Sequence, residues 1–141
     1  MWLDRSGSTV IDGAGCKWLL AVAANLELIG RIGIATDRAP VVIPANFTMR
    51  DGQIVLRIGK GFLLDAATDQ LVAFEVDHVD ADAGWAWSVL ARGLATVTDY
   101  LGEVQGASET RPLVPEPGDR RLTIRPDVLT GRRFELRNGK A

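Results

Sequence analysis

Hydrophobic positions change period along this chain, and the changes mark its elements. Between residues 15 and 25, Trp18, Leu19, Val22 and Ala23, continued by Leu26, recur at spacings of three and four, the period of a helix with one buried face. Asp12 stands where an N-cap is needed, although Gly13 and Gly15 weaken the first turn. On this spacing Trp18 is expected in the core. Residues 1–12 ahead of the helix show no period and read as an irregular lead-in. From residue 29 onward the period becomes two. Residues 29–36 predict a strand, and Asp37, Arg38, Ala39 and Pro40 after it are turn residues. Two further alternating runs, 41–49 and 53–58, flank Asp51-Gly52. Asp-Gly between such runs is a hairpin signal, because both turn residues must accept positive φ. Counting outward from this turn pairs Arg50 with Gln53, Phe47 with Leu56, and Asn46 with Arg57. Ala45, Phe47, Met49, Ile54, Leu56 and Ile58 then share the core face. Asn46, Thr48, Val55 and Arg57 share the other.

The Gly59-Lys60-Gly61 break is followed by a short helix over 62–68. Residues 70–78 predict a strand with Val72, Phe74 and Val76 on one face and Glu75 and Asp77 on the other. An acidic turn at 79–84 leads to a long strand over 85–98, in which Trp85, Trp87, Val89 and Ala91 oppose Ser88, Leu90, Arg92 and Leu94. Residues 100–107 read as helical. Residues 109–119 hold three of the six prolines and read as a loop. Residues 121–124 and 132–136 read as final strand pieces around Pro126. Short strands at close spacing with a tight hairpin predict a mainly β fold, an antiparallel barrel or sandwich with a few helices, in one domain over 1–141. The strands do not alternate with long helices, which argues against a Rossmann domain. The Gly-x-Gly pieces at 13–15 and 59–61 lack its strand–turn–helix context.

With 141 residues, nearly half of them apolar, the chain can bury a core of its own. The apolar run from 18 to 24 is too short to span a bilayer, and the N-terminus does not read as a signal peptide. A single cysteine, Cys16, excludes an internal disulfide and suits the cytoplasm. It is expected as a packed thiol on the first helix. Net charge is −2, but residues 111–141 carry 8 basic and 4 acidic side chains. Their arginines are scattered among strand residues without a lysine cluster, which favours pairing with the acidic body or a second subunit over nucleic acid.

One Cys and one His exclude a zinc pattern, and no Gly-x-Ser-x-Gly elbow is present. His78 reads as a surface residue, and Asp77, Asp80 and Asp82 as a solvated turn rather than a calcium loop. The remaining constellation is Asn46, Arg57 and Lys60 before the helix start at Gly61. Amide, guanidinium and ammonium groups there suit a phosphate, and a plain surface hairpin with an exposed Arg accounts for them equally well. Trp85 and Trp87 on one strand face read as core or interface before a stacking surface.

These segments resemble the pyridoxamine 5′-phosphate oxidase-like group of FMN-binding split barrels, over about 11–134. The helix around Cys16-Lys-Trp-Leu-Leu with Ile29-Gly30-Arg31-Ile32 is similar to the family's opening. Pro44-Ala45-Asn46-Phe47 looks like its Pro-x-Asn-Tyr segment. Leu71-Val-Ala-Phe-Glu-Val-Asp77, Gly84 and Trp87-Ser-Val-Leu-Ala-Arg-Gly93 resemble its central strands. Ile124-Arg-Pro-Asp127 and Thr130-Gly-Arg-Arg-Phe134 look like its closing segment. The resemblance implies a six-stranded antiparallel split β-barrel that dimerises with flavin at the subunit interface, FMN or the deazaflavin F420. It places the phosphate near Arg57, Ile58, Lys60 and Gly61, and the isoalloxazine against Pro44, Ala45, Asn46 and Phe47. Trp87 matches a partner-chain aromatic. Where the family pattern is close to Arg-Thr-x-x-Gly-x-Lys-Leu, this chain has Ile58 for the threonine and Leu63 for the lysine, and Phe47 replaces a tyrosine. The implied activity is a flavin-dependent oxidoreductase. The alternative is a non-catalytic split-barrel dimer with a degraded phosphate clamp, acting as a binding or regulatory module.

Overall fold

The architecture follows from one long antiparallel sheet that turns back on itself. A computed structural model describes residues 8–58, 61–98 and 120–136. Its elements run β1 (Ser8–Ile11), α1 (Gly13–Asn25), β2 (Gly30–Ile34), β3 (Val41–Ala45), β4 (Phe47–Arg50), β5 (Gln53–Ile58), α2 (Phe62–Ala67), β6 (Leu71–Asp80), β7 (Trp85–Thr98) and β8 (Arg120–Glu135). The strands are hydrogen-bonded in the order β3-β2-β6-β7-β8-β5-β4, with β1 attached to β8. The two ends of this path, β3 and β4, are consecutive in sequence with only Asn46 between them. One bent segment therefore supplies both edges and closes the sheet into a split barrel.

The core fills the inside of that curl. Ile32, Ile34, Ile54, Leu56, Phe74, Val76, Val89, Leu122 and Ile124 are all essentially inaccessible to solvent. Phe47 and Phe74 meet edge to face with ring centroids 4.9 Å apart, a favoured aromatic geometry. Helix α1 adds Cys16, Leu19, Leu20 and Ala23 and packs against β4, β7 and β8. Its start is capped as its sequence requires, since the Asp12 carboxylate accepts from the Gly15 amide at 2.7 Å. Among the described residues no helix is long and apolar enough to cross a membrane.

The Asp51-Gly52 hairpin forms in the expected register. Both turn residues have positive φ, 52° and 76°, and Arg50 pairs with Gln53 and Phe47 with Leu56. The 85–98 strand is found with the inward and outward faces expected of it.

Other expectations need correction. Residues 8–11 are not an irregular lead-in but the short strand β1, paired with the end of β8 from Ser8–Phe134 to Ile11–Gly131. The two pieces expected at 121–124 and 132–136 are one strand, β8. It passes Pro126 by a bulge, with Arg92 opposite Val128 and Gly93 opposite Pro126. Such a bulge seats a proline without losing the strand. Trp18 is not core: it is 64% exposed. At 3.6 residues per turn it stands roughly 150° from the centre of the buried Cys16–Leu19–Leu20–Ala23 stripe. The sheet has eight strands rather than six. Counting β3 and β4 as one bent strand and setting aside β1 recovers the six-stranded barrel. The helix expected at 100–107 and the loop at 109–119 lie outside the described residues.

Candidate functional site

The bend that closes the barrel also turns out its most distinctive polar residue. Ala45 and Phe47 are buried on either side of Asn46. The β4–β5 ladder ends at Phe47 opposite Leu56, so Asn46 and Arg57 are the next positions in line, each half-buried. Leu56 and Ile58 point into the core, which directs Arg57 to the outer face between them.

Arg57 is paired across β5–β8 with Arg121, and Arg121 across β8–β7 with Thr98. The next row inward is Thr48, Val55, Thr123 and Thr96. Among the described residues these two rows offer guanidinium, amide and hydroxyl groups, a donor set chemically suited to an anion. Sequence reasoning found Asn46 and Arg57 because a two-residue turn fixes their register. It missed Arg121. The only sequence signal was the alternation Arg121, Thr123, Arg125 about the buried Leu122 and Ile124. Nothing local in the sequence states that β8 lies beside β5.

The other expected site residues are dispersed. Ala45, Phe47, Ile58 and Trp87 are 6%, 4%, 4% and 4% exposed and belong to the core. Pro44 and Gly61 are exposed, and Gly61 has φ 136°. Lys60 lies outside the described residues. Trp87 faces inward on β7, away from Arg57, with its ring centroid 6.4 Å from that of His78. Its neighbour Trp85 is half-buried, with the Arg133 guanidinium 4.7 Å from its ring centre. Leu63 packs against the core. Neither Ile58 nor Leu63 presents a polar group.

Two further features share the outer surface. Arg31 on β2 donates to Glu75 at 3.0 Å and to Asp77 at 3.3 Å. Burial, aided by the adjacent Asp77 carboxyl, pushes Glu75 up to about 7 against the opposing pull of Arg31. The proton on this trio is therefore exchanged near neutral pH. A groove of about 590 Å³ opens nearby, with Gly33 and Ala73 in its lining beside Leu71, Pro40, Val128 and Arg92. Cys16 is fully buried, and burial followed by the Asp12 charge raises its thiol, as befits a packed residue. Among the described residues no cluster of three metal-ligating side chains occurs.

The sequence matches a family model described as pyridoxamine 5′-phosphate oxidase over residues 23–133. The chain belongs to that family. Among solved structures similar to it is a protein of Corynebacterium glutamicum provisionally designated a pyridoxamine 5′-phosphate oxidase. That structure has 25% identity and a TM-score of 0.75, with 97% of this chain and 100% of the other covered. Another, the FAD binding protein from Mycobacterium smegmatis, has 29% identity and a TM-score of 0.71, covering 91% and 98%. An uncharacterized protein of Mycobacterium tuberculosis is 28% identical over 112 residues, 74% of each chain. The matched segment of the pyridoxamine 5′-phosphate oxidase family contains Asn46, Arg57 and Arg121, so the polar wall lies within what the family shares in length.

Proposed function

We propose that this chain is a flavin-nucleotide-binding split barrel, active as a homodimer and working as an oxidoreductase in the cytoplasm. FMN is the preferred occupant, with FAD and F420 as alternatives. The observation that carries this reading is the presence of half-buried Asn46 and Arg57 just beyond the end of the β4–β5 ladder, inside the family-matched segment. The relative from Mycobacterium smegmatis, itself an FAD binding protein, supports the cofactor class. The bound flavin would supply the hydride chemistry, and the protein would supply binding, orientation and shielding from water. Arg57 and Asn46 would hold the phosphate end.

Dimerisation has support on the outer face. Leu71 and Leu94 are paired across β6–β7 and are 71% and 42% exposed, with Val128 and Val42 at 42% and 63%. A cluster of exposed large apolar residues on one sheet face marks an interaction surface. The test of the cofactor reading is the visible absorption spectrum of purified protein with and without added FMN or FAD. Saturable binding at micromolar flavin is expected, and its absence overturns the reading.

A second reading is favoured by a specific observation. Ile58 is buried and Leu63 packs on the core, where the family pattern has threonine and lysine. On that reading the barrel is a binding or regulatory module without a flavin. Flavin binding that appears only after Ile58→Thr and Leu63→Lys would support it.

A further inference from the structure

We propose that pH sets the association of two copies of this chain, with the Arg31–Glu75–Asp77 trio as the responsive element on the face they share. The inference rests on the homodimer reading above and adds its regulation.

Position supplies the first argument. The outward residues of β6 run Leu71, Ala73, Glu75, Asp77 and Val79. Leu71 and Val79, at the two ends of this row, are 71% and 62% exposed. Glu75 and Asp77 interrupt the middle of the row, and Arg31 on β2 stands directly opposite Glu75. On the Leu71 side lies the groove lined by Gly33 and Ala73, whose small side chains leave room for those of another molecule. A body broad enough to cover both apolar ends must cover the trio between them.

Charge decides the occupant. The charged groups facing Glu75 are Arg31 on β2, Asp77 two residues on along β6, and Arg92 on β7 opposite Ala73. Leu90 on β7 lies directly across from Glu75, and Pro44 on β3 lies beyond Arg31. On β8 the same rows hold Thr130 and Arg132, and Arg132 donates to the Ser8 hydroxyl. His78 alternates to the opposite face, beside Trp87. Cations and carboxylates are thus mixed on this face, so a partner of strong charge of either sign meets repulsion from part of it. A second copy brings the same mixed set, and a two-fold contact can match cation to carboxylate on both sides at once.

The protonation state then decides the strength of the contact. With its proton on, Glu75 leaves the trio neutral, one guanidinium against one carboxylate. With its proton off, the trio carries one net negative charge, and a symmetric contact brings two such charges into one interface. Removing water from a net charge costs more than removing it from a neutral set. Burial, followed by Asp77, already places the Glu75 proton at about 7, so this difference acts near neutral pH. Covering the trio raises its proton affinity further. By linkage the contact tightens as pH falls through about 7 and loosens above it.

The experiment measures the dimer dissociation constant by sedimentation velocity between about pH 6 and 8 at fixed ionic strength. Wild type, Glu75→Gln, Asp77→Asn and His78→Gln are compared, each checked for an intact barrel by circular dichroism. Wild type is expected to dissociate about ten- to a hundredfold more readily at the alkaline end, since a proton held one unit more tightly is worth tenfold and the contact holds two. Glu75→Gln mimics the protonated trio and is expected to dimerise tightly at every pH. Asp77→Asn leaves a neutral Arg31–Glu75 pair and is expected to flatten the dependence as well. His78→Gln is expected to keep the wild-type profile. A dimer of pH-independent affinity overturns this inference and leaves the homodimer reading standing. Wild-type dependence retained in either folded carboxylate variant overturns it too, as does a flat profile in His78→Gln. Wild-type protein that is monomeric across the range overturns the homodimer reading and this inference together.

Discussion

Glu75 gives the molecule a proton that titrates in the physiological range, and the sign of its effect is fixed. Its folded-state pKa lies at about 7 against an ordinary value of 4.5, with burial as the leading cause. The unfolded chain releases that proton first. The contribution of Glu75 to stability is therefore complete below about pH 4.5 and is lost as pH rises through about 7. Urea denaturation between pH 5 and 8 is expected to show this fall, and Glu75→Gln is expected to flatten it. A second residue-scale prediction concerns Gly93. A Cβ there would collide with the backbone carbonyl of Arg125, where the bulge presses β8 onto β7. Backbone cannot step aside as a side-chain tip can, so Gly93→Ala is expected to cost about 3 kcal/mol, the upper part of the overpacking range, seen as a lower urea midpoint. The sequence displayed neither effect. Glu75 was legible as an outward strand residue, but its proton affinity comes first from burial in the folded sheet and then from Asp77, with Arg31 on a neighbouring strand opposing both. Cys16, by contrast, was legible as a buried thiol because a free cysteine on an early helix is usually packed away from water.

Elements defined by local chemistry were the legible ones. Asp51-Gly52 fixes its hairpin through two positive φ angles, and Gly52→Ala is expected to cost about 1–2 kcal/mol because only glycine takes φ 76° without strain. Asp12→Ala removes the cap of α1 and is expected to cost about 1 kcal/mol, again read from denaturation midpoints. Both turn and cap act within three residues, so a short sequence window contains their cause. Strand β1 has only four residues, and its pairing with the end of β8 comes from the opposite end of the chain. The continuity of β8 was hidden by Pro126, which reads as a breaker until the bulge that accommodates it is seen. Trp18 was misplaced for another reason. Its spacing to Val22 and Leu26 is helical, but two apolar stripes run along α1, and the one through Cys16, Leu19, Leu20 and Ala23 faces the barrel.

At the scale of the whole molecule, the bend at Asn46 joins β3 and β4, the two ends of the strand order, and closes the barrel. The fold class was legible because period-two alternation in closely spaced runs survives without knowledge of strand order. The candidate wall was half legible: Asn46 and Arg57 come from one hairpin, whereas Arg121 arrives only when β8 docks on β5. The proposed dimer makes its own prediction. Replacing Leu71 and Leu94 together by aspartate is expected to give a monomer in sedimentation velocity with unchanged circular dichroism, since both side chains lie outside the core. The β5–β8 pairing also has a kinetic side. It joins segments far apart in sequence, and such contacts carry a high loop-closure cost before they return any stabilisation. The Arg57–Arg121 rung is expected to form after the rate-limiting step of folding. An anion held by Arg57 would then act as a brake on unfolding, leaving the refolding rate untouched. In stopped-flow measurements, added FMN is expected to lower the unfolding arm of the chevron and leave the folding arm in place.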